Sequence, residues 1–215
     1  MQKRNVVKIV TPAGRAVFPK LDKPDTKFDA AGVYSVKLAV PAESVADILS
    51  KLEALRDEFL AEQTAKLVES GKAGKAKSLK TRDIAPVEFD SEGNETGNVL
   101  LSFKMKATGQ RKDGSTFTRA PSVFDSKRVK LDPVPPIWGG STLKVAGEAM
   151  AYYMASTNEV GVTLYLQGVQ IIELKTGGGS SAQDFGFGEE AGFTADTAPK
   201  GEMFSDEGAE SPDDF

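Results

Sequence analysis

Near residue 176 the chain changes character. Up to Leu174 its apolar residues recur at the spacings of strands and of one helix; Gly177, Gly178, Gly179, Ser180 and Ser181 follow, and no apolar period returns after them. A segment with no apolar face to bury cannot offset the conformational entropy lost on ordering. Residues 1–176 are therefore expected to form one folded domain, residues 177–182 a Gly/Ser linker, and residues 183–215 a disordered acidic tail. Charge divides at the same place. The tail holds ten of the chain's 31 acidic residues and one of its 27 bases, a net of minus nine, which leaves the body 21 acids against 26 bases, a net of plus five. A mildly basic body suits a polyanionic ligand, and a block of like charge suits an interaction tail.

There is no cysteine and no histidine. That removes disulfides, Cys/His zinc sites, thiol nucleophiles and the side chain most used for proton transfer near neutral pH, and no cofactor is expected. A metal site built from carboxylates alone stays open, but the acids of the body are scattered or paired on a helix, as Asp57 and Glu58 are, which reads as a solvated face. The opening MQKRNVVKIV is too polar for a signal peptide, and no apolar run reaches the length of a membrane span. A soluble intracellular protein with no membrane partner is expected.

Val6 to Val10 reads as a short strand, and Gly32 to Val40 alternates Tyr34, Val36, Leu38 and Val40 against Val33, Ser35, Lys37 and Ala39, the period of a half-buried strand. Pro41 ends it. Val45, Ile48, Leu49, Leu52, Leu55 and Phe59 then recur at spacings of three and four, which predicts an amphipathic helix over 42–69. Gly71 to Arg82 reads as a basic loop or a frayed helical end. Val99 to Ala107 alternates again, and QRKDG at 110–114 is a hairpin turn from which Ser115 to Phe124 is expected to return as the partner strand. Leu143 to Met154 and Val160 to Leu174 are two further strands. Six strands and one helix with turns at short spacing predict a mainly β protein, a small antiparallel barrel, closed or partly open.

Residues 103–130 join the bases Lys104, Lys106, Arg111, Lys112, Arg119, Lys127, Arg128 and Lys130 to three phenylalanines and only two acids. Cations neutralise phosphates along a groove, and flat apolar rings receive unstacked bases at about 1 to 3 kcal/mol each, so this mixture suits a single nucleic-acid strand. An ordinary hairpin with solvated bases and buried rings accounts for it equally well, although Phe117 is retained as a candidate stacking ring. Tyr152 and Tyr153 are adjacent on one strand and so point to opposite faces. Trp138 lies in PPIWGGS, a Pro/Gly-rich loop with no obvious core role for a large ring, where base stacking and packing within the loop stand as equal readings. The final SPDDF ends the acidic tail in a ring, Phe215, behind Asp213 and Asp214. Such an end can dock its ring in a partner's apolar pocket while its acids meet a basic rim, or can occupy the chain's own basic groove. Two other classes stand beside the nucleic-acid reading: a carboxylate-dependent nuclease, and a scaffold or assembly protein working through the acidic tail.

The chain resembles the single-stranded DNA-binding proteins of short-tailed bacteriophages of the T-seven type. The resemblance is carried by Lys3, KPD at 23–25, GVY at 32–34 with Pro41, VFDSK at 123–127, GGSTLKV at 139–145, Tyr152, IIEL at 171–174, the glycine run at 177–179 and the closing DDF. It implies an OB-fold, that is, a five-stranded antiparallel Greek-key barrel with an extra hairpin or strand and one capping helix. It implies a non-enzymatic homodimer that binds single-stranded DNA in replication, recombination and repair, in the cytoplasm of an infected bacterial host. It also implies that the tail recruits the phage DNA polymerase and helicase-primase through its terminal ring, matched here by Phe215. Lys3 and Lys144 match positions expected near DNA, with Arg4 counted beside Lys3, and Tyr152 matches an aromatic of the binding face. Met154 replaces a family tryptophan, Ala31 an arginine, and Trp138 takes an aliphatic position, so Tyr153 or Trp138 is expected to rebuild part of the stacking surface.

Overall fold

The structure, a computed structural model, describes residues 5–111 and 113–176. The expectations placed on Lys3, Arg4, Lys112, the linker, the tail and its Asp213, Asp214 and Phe215 lie outside the described residues. In chain order the elements are β1 (Val7–Val10), β2 (Gly14–Asp25), β3 (Val33–Pro41), a 3-10 turn (Ala42–Val45), α1 (Ala46–Glu69), α2 (Ala73–Lys77), β4 (Lys80–Thr81), β5 (Val87–Phe89), β6 (Glu95–Lys106), β7 (Thr108–Gln110), β8 (Thr116–Thr118), β9 (Ser122–Phe124), β10 (Thr142–Met154) and β11 (Glu159–Glu173).

Five of these strands close into a ring. β2, β3 and β6 form an antiparallel meander, β10 joins β2 at Thr142 and Leu143, β11 is the hairpin partner of β10, and β11 returns to β6. That last seam is parallel, pairing Leu164 with Phe103 and Tyr165 with Lys104, so the barrel is not antiparallel throughout. The reason is directional: β11 leaves its hairpin with β10 running the same way as β6. The six other strands are short, and β4 and β9 extend the same edge of β11 in parallel.

Alternation decides what lies inside. Val36, Leu38 and Val40 of β3 face Leu101, Phe103 and Met105 of β6 in a core completed by Leu143 and Val145 of β10 and Leu164, Leu166 and Val169 of β11. Each such side chain, once buried, contributes about 1.5 to 3 kcal/mol. Phe103 sits at the centre, 1% exposed, and Gly147 of β10 makes room for it: a Cβ there would lie 2.9 Å from the ring and 2.6 Å from the Tyr165 carbonyl oxygen. Helix α1 packs on β1, β10 and β11 through buried Leu52 and Leu55, as its spacing predicts. It stops at Gly71, whose φ of 72° lets the Lys72 N–H donate to the Leu67 carbonyl at 2.8 Å and the Gly71 N–H to that of Val68 at 3.0 Å.

Three segments depart from expectation. Ser115 to Phe124 is not one strand: β8 pairs with β7, and β9 pairs with β11, while β6 is flanked by β3, β5 and β11. Pro121, which has no N–H for a ladder, separates the two pieces. Strand β2, which no alternation announced, carries Pro19 and Pro24 and slips register against β3 at both. The stretch 71–82 holds the short α2 and β4 rather than loop alone.

Glu88 is a buried carboxylate held by three donors: the Arg15 guanidinium, Thr96 Oγ1 at 3.0 Å and Asn98 Nδ2 at 3.0 Å. Burial pushes its pKa up, but together the bonds from Asn98, Arg15 and Thr96 outweigh burial and hold it below the ordinary value. In the unfolded chain a glutamate titrates near about pH 4.3. Its stabilisation is therefore complete above that pH and is lost as pH falls through the lower folded pKa. Glu88→Gln is expected to cost about 2 kcal/mol near neutrality and much less in acid, a convergence that urea unfolding at about pH 7 and pH 3 detects. A difference that does not change with pH would remove Glu88 as its source.

Candidate nucleic-acid interface

The side of β3 and β6 that turns away from the core carries lysines alternating with serines. Lys37 pairs with Ser102, Ser35 pairs with Lys104, and Val33 pairs with Lys106. Strand β2 widens this face, with Val17 opposite Lys37 and Lys20 opposite Ser35. On the other side Tyr165 of β11 lies beside Lys104 and opposite Glu148 of β10, and it is 37% exposed. Paired residues share a face, so the cations stand on a floor of small hydroxyl side chains.

One end of this face meets a hairpin and a loop that are tied together. The Thr108 N–H and Oγ1 donate to the Ala31 carbonyl at 3.1 and 2.8 Å, and the Ala107 N–H donates to that of Gly32 at 2.8 Å. Lys106 Nζ lies 3.3 Å from Asp29, whose carboxyl is held low by the Ala31 N–H and by Lys106. In the hairpin, the Phe117 ring lies across Gly109 with the guanidinium of Arg119 at 5.3 Å and that of Arg111 at 5.8 Å from its centre. Arg119 Nε also donates to the Lys106 carbonyl at 2.9 Å. In the loop, Phe28 is 89% exposed with Lys27 Nζ 5.4 Å from its ring centre. Thus Lys104, Lys106, Arg111, Phe117 and Arg119 are brought together, joined by Lys37, Lys27 and Phe28.

The remaining candidates stand elsewhere. Exposed Lys127, Arg128 and Lys130 occupy the turn after β9, which Asp125 closes by accepting the N–H of Lys127 at 2.9 Å and of Val129 at 2.8 Å. Lys144 reaches this region through the register, opposite Gln170, which in turn lies opposite Phe124. Trp138 is half exposed beside the start of β10, its backbone N–H donating to the Lys175 carbonyl at 3.3 Å. Tyr152 and Tyr153 are both partly buried, and Tyr153 OH bonds Asn158 Oδ1 at 2.9 Å. With Tyr165 they line a cavity of about 450 Å³ whose other wall is α1, with Glu58, Phe59 and Glu62. Among the described residues no group of three or more carboxylates gathers to hold a metal ion, and no helix is long and apolar enough to cross a membrane.

Sequence reasoning passed over Lys37, Phe28, Tyr165 and the 79% exposed Phe18. Phe28 had a signal, a lone ring among Lys27 and Asp29 in a polar loop. Tyr165 had none, because VTLYLQ reads as a core strand.

Cations set along an open sheet, with rings beside them, define a surface for a polyanion that bears flat groups. The family described as the single-stranded DNA-binding protein of bacteriophage T7 matches residues 13–174. The chain belongs to this family. The curated single-stranded DNA-binding protein of Escherichia phage T7 is 30% identical over 190 residues, spanning 85% of this chain and 80% of the relative. That of Enterobacteria phage T3 is 29% identical over 195 residues, spanning 85% and 82%. The crystal structure of the single-stranded DNA-binding protein encoded by bacteriophage T7 superposes with a TM-score of 0.67 at 27% identity, covering 89% of this chain and all of that one.

Proposed function

We propose that this chain binds single-stranded DNA without sequence preference and coats it during phage DNA replication, recombination and repair. The observation that carries the reading is the registered array of Lys37, Lys104 and Lys106 leading to Phe117, whose ring centre lies 5.8 Å from the Arg111 guanidinium and 5.3 Å from that of Arg119. In this reading the five-strand ring is an OB-fold, whose second and third strands, here β3 and β6, and first loop, here 26–32, form the groove. Phosphates run along Lys37, Lys104, Lys106, Arg111 and Arg119, and bases stack on Phe117, Phe28 and Tyr165. Lys127, Arg128, Lys130 and Lys144 continue the cationic track, and Tyr152, Tyr153 and Trp138 are secondary ring contacts. Lys3, Arg4 and Lys112 add charge. The work is coating and needs neither a catalytic group nor a cofactor.

The acidic tail, through Asp213, Asp214 and Phe215, recruits the DNA polymerase and helicase-primase, and the protein works as a homodimer in the cytoplasm of the infected host. The tail's net charge of minus nine competes with DNA for the basic groove. Removing residues 183–215 is expected to tighten oligo-dT binding by roughly 2- to 10-fold at low salt, with less gain at high salt, as fluorescence anisotropy measures. Weaker binding after truncation would end the competition idea.

The reading itself is tested by competition. Labelled oligo-dT bound to the full chain should be displaced by unlabelled single strands of any sequence and poorly by duplex of the same length. Equal displacement by duplex would favour a general polyanion binder, and no binding at low salt would favour the scaffold class.

A further inference from the structure

Phe18 sits where neither backbone nor burial favours a phenylalanine. Its φ is 49°, in the left-handed region that glycine occupies freely and bulky side chains avoid, and its ring is 79% exposed. It lies in a slip of the β2–β3 register: Val17 is opposite Lys37 and Lys20 is opposite Ser35, so Phe18 and Pro19 of β2 stand against the single residue Val36 of β3. Bulges of this kind bend a strand and re-aim a side chain, and strained backbone persists where it serves a site. The residues on either side belong to the outer face, Val17 with Lys37 and Lys20 with Ser35, with Lys104 next across. The register sets Lys20, Lys37 and Lys104 with Ser35 and Ser102 on this face, a cationic stretch that suits a phosphate chain.

We propose that Phe18 is a stacking platform for one base of the single strand, placed on the β2 margin of the face, so that the strand crosses β2 as well as β3 and β6. This rests on the single-stranded DNA reading above and extends its path. Lys20 and Lys37 hold the flanking phosphates, and the bulge holds the ring clear of the sheet.

Phe18→Gly separates function from stability, because glycine relieves the left-handed backbone while removing the ring. The variant is expected to unfold at a urea midpoint equal to or above that of the wild type, yet to bind oligo-dT about tenfold more weakly. Phe18→Trp is expected to restore binding. Oligonucleotides carrying 5-bromouracil should photo-crosslink to Phe18 in the full-length wild type, as peptide mass spectrometry reads directly. Failure of the wild type to bind oligo-dT would overturn this proposal together with the reading beneath it. Wild-type binding with unchanged affinity in Phe18→Gly and no crosslink at Phe18 would overturn this proposal alone. Unchanged DNA affinity with altered sedimentation of Phe18→Gly would also overturn it, assigning the ring to a contact between copies of the chain.

Discussion

Replacing Lys37, Lys104 and Lys106 together with alanine is expected to weaken oligo-dT binding about 100-fold at 0.1 M salt, and to lower the log-log salt slope by about 2. The arithmetic is that of counterion release: about 0.7 per phosphate for a single strand, taken three times and referred to 1 M salt, where the electrostatic gain vanishes. The fold should survive, since all three side chains are exposed and make no core contact. Lys106 loses its ion pair with Asp29, and an exposed pair is worth about 0 to 1 kcal/mol. Anisotropy titrations at several salt concentrations, with a thermal melt of each protein, check both halves. An unchanged slope would move the phosphates off this face.

Phe103→Ala is expected to cost about 3 to 5 kcal/mol in urea unfolding, the usual range for deleting a fully enclosed phenylalanine side chain. The ring is 1% exposed at the parallel seam where β6 meets β11, opposite Leu164 and in the space Gly147 leaves. Gly147→Ala should also destabilise, because the added methyl meets the ring and a backbone carbonyl. The effect reaches the outer face: Lys104 follows Phe103 in β6, and Tyr165 follows Leu164 in β11, so loosening the seam separates two of the proposed DNA contacts. A loss of under 1 kcal/mol for Phe103→Ala would mean that the seam does not organise the barrel.

What the sequence made legible was whatever repeats locally. The alternation of Val36, Leu38 and Val40, and that of Leu101, Phe103 and Met105, placed β3 and β6 and with them the outward side of Lys104 and Lys106. The spacing of Leu52 and Leu55 placed α1. Strand β2 was hidden because Pro19 and Pro24 and two register slips break the period that a reader of alternation needs. The 115–124 segment was misjudged for a related reason: the turn at 110–114 is real, but Pro121 ends the return and sends Ser122–Phe124 to β11. The parallel seam is a long-range pairing with no local signature. Of the rings, Phe117 was singled out by the bases spaced around it, whereas the exposure of Phe18 and Tyr165 depends on a bulge and on which side of β11 meets β6. Tyr152 and Tyr153, selected from sequence, line a cavity against α1 together with Tyr165, which the register sets beside Lys104.

Hydrogen–deuterium exchange of the full chain, with and without saturating oligo-dT, addresses where the strand lies. If it lies on the lysine-and-serine face, slowed exchange should appear in peptides covering 26–37 and 100–119, with α1 unchanged. Protection confined to α1 and the end of β10, or no protection anywhere at saturation, would contradict the assignment of this face as the single-stranded DNA site.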